Sequence, residues 1–260
     1  MDSSDQRGPA WRQDVIAEHV LSHGSASAAE LAERFQVSVM TIHRDLDELE
    51  RQGIVRKVRG GVTAQPSGVF ESNVSYRMKS MQPEKDAIAE KAAELIEPGM
   101  AVMLDDSTTT LALARRLEGI TPLTVVTNFL EGLNVLSRVR GIRLMALGGD
   151  YDPLHNSFLG VSCVESIEAL QVDLCFVSTS AVSGGYAYHQ EQHIVSVKRA
   201  MLASAARNVL LIDHTKLGRA ALHRVAPLSA FDRVIVDDGA HAEVLRELDE
   251  HKVTYELVSA

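Results

Sequence analysis

Cysteine and long apolar runs are scarce in this sequence, and each shortage excludes a class of protein. Two cysteines among 260 residues cannot supply the disulfide framework of a small secreted domain. Cys163 and Cys175 lie in apolar runs, which indicates buried thiols. No stretch approaches 18 apolar residues, and residues 1–10 hold no apolar segment of a signal peptide, so neither membrane insertion nor export is indicated. We expect a cytoplasmic protein.

A surplus of basic residues is also missing, which argues mildly against a nucleic-acid partner. The net charge is −9 at pH 7, but affinity for nucleic acid depends on the charges that touch phosphate. The segment from Arg51 to Val62 holds four basic residues and no acid. The acids of the preceding helix come after its first two turns; they are Asp45, Asp47, Glu48 and Glu50. Binding to DNA through this segment would be local and sensitive to salt.

The segment 38–62 carries the most specific pattern of the chain. Ser38 can cap a helix on which Ile42, Leu46 and Leu49 form one apolar stripe. The opposite face is polar in its first two turns, where a recognition helix meets base edges in the major groove. The candidate DNA-binding residues on this helix are Ser38, Met40, Thr41, His43 and Arg44. The basic and apolar alternation after Gly53 predicts a hairpin with phosphate-binding residues Arg56, Lys57 and Arg59.

The residues before Ser38 complete a winged helix-turn-helix domain over residues 8–64. Apolar spacing over residues 11–21 predicts a first helix, and Ser27 with Glu30 forms a capping box that opens a second. Gln36 and Val37 leave room for only a tight turn. The alternative is a small helical bundle with a basic hairpin that packs against the larger domain. The ordered set of caps, stripes and wing favours DNA binding.

Residues 65–80 are typical of a linker, and the chain from residue 81 to 260 alternates helices with apolar strands. A helix is predicted over 84–96, followed by strands at 101–104, 123–126, 142–147, 174–177, 209–212 and 234–236. This alternation predicts a mainly parallel sheet with helices on both faces. The fold class is therefore α/β, with an N-terminal winged helix-turn-helix joined to a Rossmann-like parallel-sheet effector domain.

Polar residues follow most of these strands. In an open parallel sheet they share the carboxyl edge, where ligands bind. Hydroxyls, glycines and a lysine at this edge suit a phosphorylated ligand. The candidate effector-binding residues are Asp105, Ser107, Thr108, Thr109, Thr127, Asn128, Gly148, Gly149, Asp213 and Lys216. Each piece alone is also compatible with an ordinary helix cap or solvated turn, and Lys198 with Arg199 is compatible with a solvated helix face.

Both halves of the chain resemble the DeoR family of bacterial transcriptional regulators, over about residues 11–238. The first half matches at Glu30, Leu31, Ala32, Phe35, Val37, Ser38, Thr41, Ile42, Arg44, Asp45, Leu46, Leu49, Gly53, Gly60 and Gly61. The second half matches at all the candidate effector-binding residues listed in the preceding paragraph, and also at Ser157 and Gly160. Lys198 matches a lysine that is common in a helix of the family, so it is a further candidate effector-binding residue. His43 and Asp106 depart from the family pattern, and Ser107 stands where glycine is commoner.

The resemblance implies an oligomeric DNA-binding regulator, a dimer or tetramer, that represses carbohydrate metabolism genes. A phosphorylated sugar would be the effector, and neither a cofactor nor a membrane partner is implied. One alternative is an isomerase-like enzyme of sugar phosphates, which would not need the winged domain. A second is an architectural DNA-binding protein with a ligand-blind α/β domain. His189 and His193 stand four apart, but we interpret their segment as a surface or ligand-lining loop, with no metal site.

Overall fold

The computed structural model describes residues 8–51, 54–64 and 74–260. The chain divides into two compact units, Met1–Asn73 and Val74–Ala260. Gly53 and residues 65–73 of the proposed linker lie outside the described residues. Residues 74–80 belong to the second unit and begin with a short helix. In the part of the chain that is described, no helix is both long and apolar enough to span a bilayer.

The first unit is a winged helix-turn-helix, which confirms the predicted fold. Its elements are α1 (Pro9–His23), β1 (Ser25–Ser27), α2 (Ala28–Phe35), α3 (Val39–Arg51), β2 (Val55–Val58) and β3 (Gly61–Ala64). The strands pair antiparallel in the order β1-β3-β2. Ile42, Leu46 and Leu49 are buried, as their spacing on one face of α3 predicts. The face opposite this stripe is left for other contacts.

Two serine caps set the starts of the second and third helices. The Ser27 hydroxyl accepts from the Glu30 amide at 3.1 Å, and the Glu30 carboxylate accepts from the Ser27 amide at 3.2 Å. The Ser38 hydroxyl accepts from the Thr41 amide at 3.1 Å. Each bond satisfies an amide that has no partner inside its helix. The capping-box prediction is thereby confirmed.

Strand β1 was not predicted, because three residues with two serines give no detectable apolar period. It pairs with β3 and brings the backbone of Ala26 and Ser27 close to Gly61. A Cβ atom on Gly61 would lie 2.3 Å from the carbonyl oxygen of Ala26. Glycine is therefore required here by the close approach of two strands.

The second unit contains a seven-stranded parallel sheet in the order β15-β14-β12-β9-β4-β5-β6. Its strands are β4 (Ala101–Leu104), β5 (Leu123–Thr127), β6 (Ile142–Ala146), β9 (Val172–Val177), β12 (Ala205–Ile212), β14 (Arg233–Asp237) and β15 (Tyr255–Val258). The six predicted strands are all present. The edge strand β15 was missed, because its four residues include Glu256 and give too short an apolar run.

Helices cover both faces of this sheet and bury two apolar cores. They are α5 (Gln82–Ala93), α6 (Thr108–Ala114), α7 (Leu130–Leu136), α8 (Val161–Glu168), α9 (Gln192–Ala203) and α10 (Ala242–Glu250), after the short α4 (Val74–Arg77). Cys163 and Cys175 are free and buried, as their apolar neighbours predict. On one side of β4 lie the next two strands in the chain, β5 and β6. On its other side lie the later strands, in the order β9, β12, β14 and β15. The adjacent ends of β4 and β9 therefore form the switch-point crevice of an open α/β sheet.

Two small antiparallel sheets were missed from the sequence. One is the hairpin of β7 (Asp150–Asp152) and β8 (Ser157–Leu159). The other has the order β10-β11-β13, formed by β10 (Ala181–Ser183), β11 (Tyr186–His189) and β13 (His223–Pro227). Strands of three to five residues are too short for periodicity to separate them from loops. Both follow strands of the main sheet in the chain.

Candidate nucleic-acid interface and ligand crevice

The first two turns of α3 present a polar, accessible face. Met40 is 65% exposed, Ser38 and Arg44 are exposed, and Thr41 and His43 are partly exposed. The Thr41 hydroxyl lies 2.8 Å from the Ser38 hydroxyl, so these two side chains shape the start of the helix. Met40, His43 and Arg44 are the groups that this face offers for base contacts.

The wing differs from its sequence-based interpretation at Lys57. Arg56 and Arg59 are exposed, but the Lys57 ammonium forms an ion pair with Asp47, and the Lys57 amide donates to Glu50 Oε1 at 2.7 Å. The prediction of a basic cluster with no acids nearby is therefore wrong for Lys57. The hairpin folds back along α3, and this brings the later acids of the helix beside β2.

Asp45 lies inside the first unit. Its Oδ2 is 2.6 Å from Arg12 Nε, and its Oδ1 is 3.0 Å from Gln13 Nε2. Arg12 and Asp45 are both buried. Asp45 follows Ile42 by three residues and so lies on the same helix face as the apolar stripe. From this spacing, the burial of Asp45 could have been predicted from the sequence.

At the switch-point crevice, Lys198 of α9 bridges the two aspartates that follow β4. The Lys198 ammonium donates to Asp105 Oδ2 and lies 3.3 Å from Asp106 Oδ1. All three side chains are buried. The alternative of a solvated helix face is therefore wrong for Lys198, because its side chain reaches under the carboxyl ends of β4 and β9. Its role in effector binding stays a prediction.

Further hydrogen bonds hold these carboxylates in place. Asp105 accepts from the backbone amides of Ser107 at 3.0 Å and Ser178 at 2.8 Å. Asp106 Oδ2 accepts from the Ser157 hydroxyl at 2.9 Å. The extra carboxylate at position 106 is thus tied to the β7–β8 hairpin and to α9. Its departure from the family pattern has a structural role.

Burial and charge act in opposite directions on this cluster. Burial is the largest single effect on Asp106 and would raise its pKa, but the Lys198 ammonium and further basic neighbours together outweigh it and hold that pKa far below its ordinary value. Burial would lower the pKa of Lys198, but the charges of Asp105 and Asp106 raise it instead. Lys198 and Asp106 are therefore both charged at neutral pH.

Asp213 and Lys216 form a second charged pair at the same edge. Lys216 Nζ lies 3.4 Å from Asp213 Oδ2 and 3.5 Å from the Ser178 hydroxyl. Burial would raise the pKa of Asp213, but the Lys216 charge and the Thr215 hydroxyl together lower it. Ser178 also donates its amide to Asp105. Lys216 therefore lies beside the crevice that holds Asp105 and Lys198.

Three buried oxygens at this edge have no hydrogen-bond partner among the described residues. They belong to Thr109 Oγ1, Asn128 Oδ1 and Ser180 Oγ, which follow β4, β5 and β9 respectively. The order β9-β4-β5 makes these strands neighbours. Buried polar groups without partners are costly, so their concentration at one sheet edge indicates a site for a polar ligand.

Other candidate residues have structural roles. The Ser107 hydroxyl caps α6 by accepting from the Thr110 amide at 3.1 Å, and the Thr127 hydroxyl accepts from the Phe129 amide at 3.2 Å. Thr108 is buried in the first turn of α6. Gly148 is exposed. Gly149 has a φ of 143°, and a Cβ atom there would lie 2.2 Å from the Leu159 carbonyl oxygen.

Comparison with known families accounts for both units. A model of the DeoR-like helix-turn-helix domain matches residues 12–67, and a model of the DeoR C-terminal sensor domain matches residues 80–238. The chain belongs to the DeoR family. It is thus a transcriptional regulator with a DNA-binding unit and a sensor unit.

Curated DeoR-family relatives align along nearly the whole chain. The transcriptional regulator YgbI of Escherichia coli is 36% identical over 92% of this chain and 94% of its own length. The glycerol-3-phosphate regulon repressor of E. coli is 32% identical, covering 95% and 98%. The repressor GlcR of Bacillus subtilis is 33% identical, covering 86% of each.

Solved structures give a more distant match. Ribose 5-phosphate isomerase A of Methanocaldococcus jannaschii is 16% identical, covers 53% of each chain and has a TM-score of 0.37. A translation initiation factor eIF-2B of Pyrococcus horikoshii is 11% identical, covers 87% of this chain and 88% of its own, and has a TM-score of 0.45. Similarity this distant does not bear on function.

Proposed function

We propose that this DeoR-family regulator represses carbohydrate metabolism genes and that a phosphorylated sugar, bound in the switch-point crevice, controls it. The observation that carries this proposal is the set of unpartnered oxygens of Thr109, Asn128 and Ser180. They lie at the edge that also holds the Lys198–Asp105–Asp106 cluster and Lys216. A ligand with several hydroxyls and one anionic group matches this combination of acceptors, donors and charge.

The charges divide the crevice into two parts. Asp105 and Asp106 disfavour an anion beside them, while their oxygens and that of Asn128 can accept from sugar hydroxyls. Lys216 lies at the crevice with 13% of its side chain exposed, so it can move to a phosphate with a modest loss of its pairing to Asp213. We therefore place the phosphate toward Lys216, and the sugar toward Asn128 and the aspartates.

The names of the relatives support a sugar-phosphate effector and repression. They include the glycerol-3-phosphate regulon repressor and the putative aga operon repressor, both of E. coli. In our proposal the ligand favours one of two DNA-binding states of the chain, since a ligand with equal affinity for both would change nothing. The sensor unit acts by binding and does not turn its ligand over.

On DNA, we assign base contacts to Met40, His43 and Arg44 and phosphate contacts to Arg56 and Arg59. A palindromic operator needs at least two copies of this helix, so we propose a dimer or a tetramer. Sedimentation of the full chain tests this, and a monomer at concentrations that saturate the operator would contradict it.

The test of the effector site is calorimetry with a panel of sugar phosphates and the matching free sugars. Lys216→Ala is expected to weaken an active sugar phosphate about 10- to 100-fold, the loss of one charge-assisted bond of about 1.5 to 3 kcal/mol. Operator affinity without ligand should stay unchanged. Arg246→Ala removes an exposed cation of the same unit, 69% exposed, and should leave ligand affinity unchanged.

Three results would contradict the proposal. The first is a free sugar that binds as tightly as its phosphate. The second is a Lys216→Ala variant with the ligand affinity of the original chain. The third is turnover of the ligand, which would favour the isomerase alternative.

A further inference from the structure

Two histidines and two carboxylates meet beside the β7–β8 hairpin. Asp152 ends β7, His155 lies in the hairpin loop, Glu191 precedes α9, and His193 lies in the first turn of α9. Ligand atoms of Asp152, His155 and His193 all lie within 4.8 Å of one another.

The four side chains form a closed ring of short contacts. His193 Nε2 lies 3.1 Å from Glu191 Oε2 and 3.4 Å from Asp152 Oδ2. His155 Nδ1 lies 3.2 Å from Asp152 Oδ2, and His155 Nε2 lies 3.7 Å from Glu191 Oε1. Ligand atoms 2.0–2.1 Å from a tetrahedral zinc ion stand about 3.3 Å apart. The separations of Asp152 Oδ2 from His155 Nδ1 and from His193 Nε2 match this spacing.

The two nitrogens of His155 have different neighbours. Its Nδ1 faces Asp152, and its Nε2 faces the Glu191 carboxylate at 3.7 Å. His155 is 1% exposed, so both neighbours are held close to it within the fold. One imidazole gives one nitrogen to an ion, so His155 would bind through Nδ1. Glu191 would then lie where the carboxylate that orients a ligating histidine regularly lies.

Asp152 is fixed in a way that suits a metal ligand. Its Oδ1 accepts from the backbone amides of Leu154 at 2.8 Å and His155 at 3.3 Å. Its Oδ2 is left to face both imidazoles. A carboxylate oxygen beside two imidazole nitrogens is an arrangement that suits a mixed nitrogen and oxygen zinc site.

We propose that Asp152, His155 and His193 bind one divalent cation of the zinc class. Two imidazoles with a carboxylate suit zinc or cobalt, whereas magnesium and calcium prefer oxygen ligands alone. The bound ion would connect the β7–β8 hairpin, whose Ser157 holds Asp106, to α9, whose Lys198 does the same. Metal would thus stabilise the wall of the ligand crevice. The proposal does not depend on which effector binds there.

The experiment uses the full chain without a polyhistidine tag, freed of metal by chelation. Calorimetry with Zn²⁺ is expected to show one saturable site per chain, and Co²⁺ to give a visible absorption band that Zn²⁺ displaces. Mg²⁺ should give neither signal. Zn²⁺ should also raise the thermal midpoint of the sensor unit, because it binds only the folded state.

Variants make the assignment specific to these residues. His193→Gln and Asp152→Asn should each weaken Zn²⁺ at least about tenfold, and His193 is half-exposed, so its replacement should not disturb packing. His241→Gln, at an exposed position before α10, is the matched control and should bind as the original chain does. Circular dichroism in chelator confirms that every variant is folded.

Absence of saturable Zn²⁺ binding would overturn the proposal. Equal affinity in His193→Gln and the original chain would do the same, as would Mg²⁺ binding as tight as Zn²⁺ binding. The effector panel is measured separately with Lys216→Ala, so failure of one assignment leaves the other testable.

Discussion

The two units place the side chains proposed to bind DNA and effector in opposite environments. In the winged unit, Met40, Arg44, Arg56 and Arg59 are exposed. In the sensor unit, Asp105, Asp106 and Lys198 are buried and bonded to several elements of the fold. A DNA surface can thus be varied at small cost in stability, whereas the ligand crevice and the fold depend on the same residues.

The strongest test of this difference is Lys198→Met. The change leaves Asp105 and Asp106 buried without their cation, and breaking a buried ion pair in this way costs about 3 to 5 kcal/mol. Unfolding by denaturant, followed by circular dichroism, should show this loss in the sensor unit. The fluorescence of Trp11, the single tryptophan, should report an unchanged first unit. A loss below about 1 kcal/mol, the scale of an exposed pair, would contradict the structural role of the cluster.

In the winged unit the Arg12–Asp45 ion pair is an exception, because it is buried. Asp45→Ala tests its contribution to stability. Arg12 would remain buried without its carboxylate partner, so we expect the first unit to lose about 3 kcal/mol. Trp11 packs edge-on against Phe35 and reports this transition. Asp47→Ala, on the exposed side of the same helix, is the matched control and should change stability by less than about 1 kcal/mol, the scale of its exposed ion pair with Lys57. Equal losses of stability in Asp45→Ala and Asp47→Ala would contradict the structural role of the buried Arg12–Asp45 pair.

Arg44→Ala should separate DNA affinity from stability. We expect specific binding to weaken by about 1 to 3 kcal/mol if Arg44 makes a bidentate base contact, with the unfolding of the first unit nearly unchanged. Gel shifts with operator and scrambled DNA measure the first quantity. Arg51→Ala, in the last turn of the same helix, controls for the loss of one charge. Unchanged sequence preference in Arg44→Ala would exclude it from base recognition.

The smallest effect is expected in the wing. Arg56→Ala and Arg59→Ala should each reduce the slope of log K against log salt by about one unit. Lys57→Ala should reduce it less, because Asp47 already neutralises the Lys57 charge. Titrations at several salt concentrations decide this. Equal slopes for all three variants would show that the ion pair opens on DNA.

Separation along the chain explains which features of the two units could be predicted from sequence. The reading face of α3 and the caps of Ser27 and Ser38 follow from helical periodicity and local hydrogen bonding. The six central strands follow from apolar runs, and their polar ends from the geometry of a parallel sheet. Contacts between distant segments were not predictable in this way. The pairs Lys198–Asp105 and Arg12–Asp45 join residues 93 and 33 positions apart.

The missed histidine group shows the same limit. His155 and His193 are 38 positions apart and come together through the β7–β8 hairpin, whose strands have three residues each. No local pattern marks either residue as a ligand. Their pairing depends on the register of the hairpin and the start of α9, which are tertiary features.

The two buried cysteines of the sensor unit react with thiol reagents only when the unit opens. Burial, with the nearby Asp106 charge, raises the pKa of Cys163 to about 11, and burial also raises the pKa of Cys175. Only a thiolate attacks a disulfide or an alkylating reagent, so both sulfurs are inert at neutral pH in the folded unit. The rate at which a thiol reagent labels this chain therefore measures how often the sensor unit opens. A bound effector should make this opening less frequent and so slow the labelling.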